Sequence, residues 1–222
     1  MMRTFKHGPQ AFLAALLGGL LAVYATACSA ATGSADAYAL GKDYHQVPDP
    51  QRPDDPKKVQ VEEFFCYCCP HCFHADPGIE EWRKHAAGDV SFRRVPNSLG
   101  RPDGKVLEQA FYIAQTMGIL DKVHTPLFKA IHEQGFPMSS LDSVRDLFVE
   151  QAGIKPTDFD SLSSSFVIDS EVRNADEEAQ TYQVTSVPTV IVGGKYMVNG
   201  ATPDLGKVLD FLVDKVRKER KV

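Results

Sequence analysis

Phe64-Phe65-Cys66-Tyr67-Cys68-Cys69-Pro70-His71-Cys72 decides how this chain folds, because an apolar strand runs there into a cysteine at what reads as a helix start. Four of the five cysteines fall between positions 66 and 72. Upstream, Val59, Val61, Phe65 and Tyr67 alternate with Gln60 and Glu62, and Phe64 thickens the run. Val59 to Tyr67 therefore reads as a buried central strand. Pro70 suits the first helical turn, where its missing N–H has no partner to lose. Cys69 then sits at a helix amino terminus, whose free N–H groups and positive dipole end favour a thiolate, and His71 adds to that effect. Cys72 follows one turn later on the same helix face, within bridging distance but deeper. A disulfide between the two closes a very short loop. Charge on Cys69 stabilises its reduced form, which makes the oxidised form a good electron acceptor.

Two other readings of Cys69 and Cys72 compete. A purely structural bridge fits poorly, because so short a loop restricts the unfolded chain little. Zinc could draw on Cys66, Cys68, Cys69, Cys72 and His74, but adjacent Cys68 and Cys69 point to opposite sides if the strand continues. Glu63, just before Phe64, reads on its own as a strand-start charge that reaches solvent.

Working outward, Asp76-Pro77-Gly78 predicts a kink, with Asp76 capping a second helical segment through Trp82 to about Ala86. Val90 to Val95 is the next strand, and the stretch from Pro96 to Pro102 marks a boundary. Helical stripes follow: Val106, Leu107, Ala110, Phe111 and Ala114; then Val123, Leu127, Phe128 and Ile131; then Leu141, Val144, Leu147 and Phe148. Ser140 and Thr157 are the expected caps, with helices near 157–165 and 169–182 completing the block. His124, His132, Met117 and Met138 carry no partner motif and read as core or surface residues. Strand signals return at Thr189 to Val192, which Gly193-Gly194 joins to Lys195–Val198 as a two-residue hairpin. Thr202 and Pro203 open a final helix with Leu205, Val208, Leu209, Leu212, Val213 and Val216 on one stripe. Strand and helix, a helical block, then hairpin and helix make one α/β sheet domain with an insertion.

The 222 residues, 43% of them hydrophobic, suffice for a real core, and a formal charge of -5 argues against a nucleic-acid partner. The amino terminus reads as a signal segment, 1–27: Arg3 and Lys6 are the positive head, Ala11 to Ala22 the apolar run, and Ala25-Thr26-Ala27 the cleavage site. Export places the remaining cysteines where disulfides persist. Cys28, followed by the loose Ser29–Ser34 tether, resembles the lipidation site of bacterial lipoproteins; cleavage nearby without lipid is the alternative. Residues 28–58 form a tether and a proline-rich, extended lead-in, with a short edge strand near Tyr44.

Glu63-Phe64-Phe65, Cys69-Pro70-His71-Cys72, the helical insertion, Val187-Pro188 before a strand and Gly193-Gly194-Lys195-Tyr196 together resemble the periplasmic DsbA-type thiol:disulfide oxidoreductases of the thioredoxin superfamily. The resemblance covers Tyr38 to the carboxyl terminus. It implies a thioredoxin-like domain at 59–98 and 185–222, interrupted by an inserted helical domain at 99–184. It also implies a redox-active Cys69–Cys72 disulfide without further cofactor, a cis-proline at Pro188 preceded by Val187 and facing the cysteines, and Glu63 as a buried acid for proton transfer near Cys72. The implied partners are reduced, newly exported proteins and a quinone-linked membrane oxidase of the DsbB type, met by a monomer in the periplasm or anchored to its membrane through Cys28. An isomerase or reductase on the same fold, or a copper-handling cysteine cluster, are the alternatives. Cys66 and Cys68 depart from the family pattern. They read as two thiols on one strand face that fill space, or as accessory thiols in which Cys68 enters the exchange.

Overall fold

A computed structural model of the chain describes residues 37–102 and 104–220. Arg3, Lys6, the apolar run and Cys28 lie outside the described residues. The lead-in contributes one short edge strand, β1 (His45–Gln46). The stretch after it forms β2 (Val59–Phe65), buried along its whole length. β2 lies between a parallel partner, β3 (Val90–Pro96), and an antiparallel one, β4 (Thr189–Val192). With β5 (Tyr196–Asn199) the sheet has five strands in the order β1-β5-β4-β2-β3. The expected strand is two residues too long. Its ladder stops at Phe65, and a turn closed by Cys69 N–H donating to the Cys66 carbonyl (3.0 Å) carries the chain into the helix.

That helix is α1 (Pro70–His85), and it is continuous through Pro77. Asp76 does not cap a second segment there. It is buried, and its carboxylate turns inward to side chains of other elements. Between β3 and β4 come α2 (Lys105–Thr116), α3 (Leu120–His132), α4 (Leu141–Ala152), α5 (Pro156–Ser163) and α6 (Phe166–Thr181). The caps are local chemistry. Ser140 Oγ accepts from Ser143 N–H at the start of α4, and Gly153, at φ 67°, ends it. Thr157 is not a cap, because Pro156 takes the first helical position and Lys155 precedes it. Ser165 caps α6 instead. The last helix, α7 (Leu205–Arg220), starts at Leu205 rather than at Pro203, after Asp204 with φ 57°.

The hairpin turns through Gly193 and Gly194, both at positive φ (63° and 66°), the backbone that glycine supplies without steric cost. Val192 faces Tyr196, so Lys195 joins a loop of three residues instead of the expected two, and the second strand runs one residue later than the sequence suggests.

Position along the strand divides β2 between two cores. Val59 and Val61 pack with Trp82 of α1 and with Val208, Leu209 and Leu212 of α7. Phe64 and Phe65 join Phe111, Leu127, Phe128 and Phe148 of the helical block. The alternation of Gln60 and Glu62 suggests a solvent face, yet both are buried. Glu178 and Tyr182, at the end of α6, cover that face: Tyr182 donates to Glu62 (3.1 Å), and Arg93 pairs with both Glu62 and Glu178.

Candidate active site

Cys69 occupies the position before Pro70 in extended conformation (φ -98°, ψ 119°), and its carbonyl accepts the first helical bond from Phe73 N–H at 3.1 Å. Its sulfur is half-buried, while Cys72 Sγ is fully buried. Both are free thiols in this structure. The Cys69 thiol donates to the Val187 carbonyl at 3.5 Å, and Cys66 N–H donates to Cys72 Sγ at 3.4 Å. Burial, then the neighbouring Cys69 and Glu63, push the Cys72 thiol far above its usual range. Pro70 and His71 are exposed at the helix start, and His71 lines an open groove of about 500 Å³ with His74, Gly200 and Thr202.

The Val187–Pro188 peptide bond is cis. Gly200 N–H donates to the Pro188 carbonyl (2.9 Å), and a Cβ on Gly200 would come within 2.7 Å of Pro188 Cβ. Only a glycine lets β5 run so close beneath that loop. Sequence reading passed over this residue because no local pattern marks it.

Cys66 and Cys68 are not two free thiols. They form a disulfide, with Cys68 N–H also donating to Cys66 Sγ at 3.1 Å. The strand-face picture fails because β2 ends at Phe65, and in the turn that follows the two side chains converge. Cys66 is buried and Cys68 half-buried.

Glu63 is buried, as the family resemblance implies and against its reading on its own as a solvent-facing charge, and accepts from Arg94 Nε at 2.9 Å. Burial raises its carboxyl to about 7, against the pull of Arg94. Arg94 also holds Asp76 (3.1 Å) and Glu80 (2.7 Å).

A further chain of polar groups starts at Asp76. His124 Nε2 lies 2.9 Å from the Asp76 carboxylate and Nδ1 2.6 Å from the Tyr67 hydroxyl. The charged carboxylate can only accept, so Nε2 carries the proton and Tyr67 O–H donates to Nδ1. Burial holds His124 below the usual histidine range, which agrees with a neutral ring. His132 donates through Nε2 to the Tyr67 carbonyl (2.8 Å) and stacks on Phe73. The structure thus gives both histidines partners. Their only sequence signal was a histidine beside the apolar stripe of α3.

The arrangement offers an accessible sulfur and a shielded one on one helical turn, a raised carboxyl nearby and an open groove alongside. Residues 60–205 match the family described as a DSBA-like thioredoxin domain. A thiol:disulfide interchange protein DsbA of Burkholderia cepacia is 35% identical over 210 residues, 92% of this chain and 98% of the relative. Its counterpart in Pseudomonas aeruginosa is 34% identical over 191 residues, 84% of this chain and 90% of the relative. The crystal structure of Pseudomonas aeruginosa DsbA superposes with a TM-score of 0.78 at 33% identity, covering 85% of this chain and 99% of that one. Xylella fastidiosa DsbA gives 0.74 at 30% identity, over 82% and 98%.

Proposed function

The chain belongs to the DsbA-like thioredoxin family, and from that premise we propose that Cys69 and Cys72 are the pair through which it hands a disulfide to reduced, newly exported proteins. It is a thiol:disulfide oxidoreductase with a thioredoxin-like fold. The observation that carries the assignment is the asymmetry of the two sulfurs, Cys69 half-buried at the helix start and Cys72 fully buried behind it.

In the oxidised pair a substrate thiolate reaches only Cys69. It attacks that sulfur, the Cys69–Cys72 bond breaks, and Cys72 leaves. A thiolate at Cys72 is disfavoured by burial, so the leaving group needs a proton, and Glu63, whose carboxyl burial raises to about 7, supplies it. A second substrate thiolate then attacks the substrate sulfur of the mixed disulfide. Cys69 departs as a thiolate, which the amino terminus of α1 and His71 stabilise. The extended substrate lies along the Val187–Pro188 loop and the groove beside His71.

The redox-active disulfide is the only cofactor this chemistry needs. Its reoxidation falls to a quinone-linked membrane oxidase of the DsbB type. The protein acts as a monomer in the periplasm, either freed by cleavage near Ala27 or held at the membrane through Cys28. The test is direct. Cys69→Ala abolishes oxidation of a reduced two-cysteine peptide. Cys72→Ala, charged with oxidised glutathione, exchanges glutathione for a single-cysteine peptide and holds it as a mixed disulfide through Cys69, since neither Cys72 nor a second peptide thiol is there to release it. Peptide oxidation at the parent rate in either variant overturns the assignment.

A further inference from the structure

The cysteines read as two overlapping units of the same spacing, Cys66-x-x-Cys69 and Cys69-x-x-Cys72, with Cys69 shared. The first spans the turn closed by Cys69 N–H on the Cys66 carbonyl (3.0 Å), and the second spans the first turn of α1. In such a turn the outer Cα atoms lie within about 7 Å, and disulfides span about 4.4–6.8 Å. The turn therefore keeps Cys69 within the Cα span of a disulfide to Cys66, as the first helical turn keeps it within that of Cys72. The two units are also joined through the backbone, since Cys66 N–H donates to Cys72 Sγ at 3.4 Å. The Cys66–Cys68 bond encloses a single residue, so it restricts the unfolded chain very little and has no evident stabilising task.

We propose that Cys66–Cys68 is a second redox-active disulfide, which exchanges with the Cys69/Cys72 pair inside one molecule, so that a single chain oxidises two substrate dithiols before it needs reoxidation. The inference rests on Cys69 and Cys72 being the pair that reacts with substrate. After a first turnover, both are thiols. The Cys69 thiolate attacks Cys66 Sγ, a Cys66–Cys69 bond forms, the Cys66–Cys68 bond breaks, and Cys68 leaves as a thiolate. Cys68 is half-buried rather than enclosed, so solvent can protonate it. Cys72 passes its proton to Glu63 and attacks Cys69 Sγ. The Cys69–Cys72 bond forms, and Cys66 leaves and takes a proton. Two electrons have moved from Cys69/Cys72 to Cys66/Cys68, two thiols are consumed and two formed, and no external oxidant takes part. Attack on Cys68 by its neighbour Cys69 would instead need a disulfide between adjacent residues, whose Cα atoms lie about 3.8 Å apart, short of the usual disulfide span of about 4.4–6.8 Å.

The experiment counts disulfides. Protein carrying Cys28→Ser, whose four remaining cysteines are oxidised to two disulfides until no thiol titrates, is mixed, without oxygen or any added oxidant, with excess reduced two-cysteine peptide. The expected yield is two oxidised peptides per chain, against one for its Cys66→Ser/Cys68→Ser double variant. One for both proteins overturns the second disulfide and leaves the proposed function intact; none for either overturns the proposed function itself. Direct reduction of Cys66–Cys68 by peptide would also give two, so the route is read separately. In Cys72→Ser, acid quenching, alkylation and peptide mapping are expected to find a Cys66–Cys69 bond with Cys68 alkylated. Finding Cys66–Cys68 alone overturns the internal exchange.

Discussion

Glu62 and Glu63 are consecutive and equally buried, and each meets its own arginine on its own side of the sheet. Burial raises both carboxyls from 4.5 to about 7. A group whose pKa is higher folded than unfolded contributes stability that is complete below the unfolded value and is lost as pH climbs through the folded one. For Glu63 the loss falls between pH 4.5 and about 7 and is on the order of 3 kcal/mol. Glu63→Gln should therefore flatten the fall in urea-unfolding stability over that window by roughly this amount. Glu80 works the opposite way. Although burial alone would raise it, hydrogen bonds from Arg83 and Arg94 hold it at about 2, so its contribution is lost only as pH falls below 4.5. His124 makes a second claim testable at this scale. His124→Leu strands the Tyr67 hydroxyl in the interior, at about 1–3 kcal/mol, and leaves the Asp76 carboxylate to Arg94 alone. Urea unfolding should show a loss of about 1–3 kcal/mol. Adding Tyr67→Phe, which removes the stranded group, should make the double variant less damaged than the sum of the single changes.

Among the elements, β2, the hairpin and α1 bring the site together, and their legibility in the sequence was uneven. Pro70 and the stripes of α2 to α4 are local signals, so the helix start at Cys69 and the helical block could be read directly. The depth of Glu62 could not, because its partner Tyr182, and Glu178, with which it shares Arg93, lie more than a hundred residues away. The same holds for His124, whose partners sit on α1 and in the turn after β2. The Cys66–Cys68 bond was hidden for another reason: it depends on the strand ending two residues early, a boundary that alternation does not fix. Gly200 illustrates how one element constrains another. Its missing side chain lets β5 carry the Pro188 loop against Cys69, and Gly200→Ala must push that loop outward. Overpacking of this kind costs about 1–3 kcal/mol. If it falls on the approach to Cys69, peptide oxidation should slow about 5- to 100-fold, read from initial rates, with little change in far-ultraviolet circular dichroism.

For the molecule as a whole, the oxidant is coupled to the fold. A disulfide that gives its oxidising power away readily is one whose reduced form the folded protein prefers, and each 30 mV of potential corresponds to about 1.4 kcal/mol. Reduction should therefore raise the unfolding temperature, by about 2–4 °C for every kcal/mol in a domain of this size. The measurement belongs in the Cys66→Ser/Cys68→Ser background, where Cys69–Cys72 is the one bond reduced among residues 37–220. An unchanged or lower transition would mean that the fold does not favour the dithiol. The helical block and the sheet share β2 as a common wall, since Phe64 and Phe65 serve one core and Val59 and Val61 the other.

The parallel alignment of β2 with β3 sets Glu62 opposite Arg93 and Glu63 opposite Arg94. During folding this pair of strands must find its register across the whole of α1. If β3 slips one residue one way, Glu62 faces Phe92; if it slips the other way, Glu63 faces Val95. Either error strands an unpaired carboxylate in the interior, at about 3–5 kcal/mol. Two adjacent charges of one sign, matched by two of the other, thus act as a proofreading step that admits a single alignment.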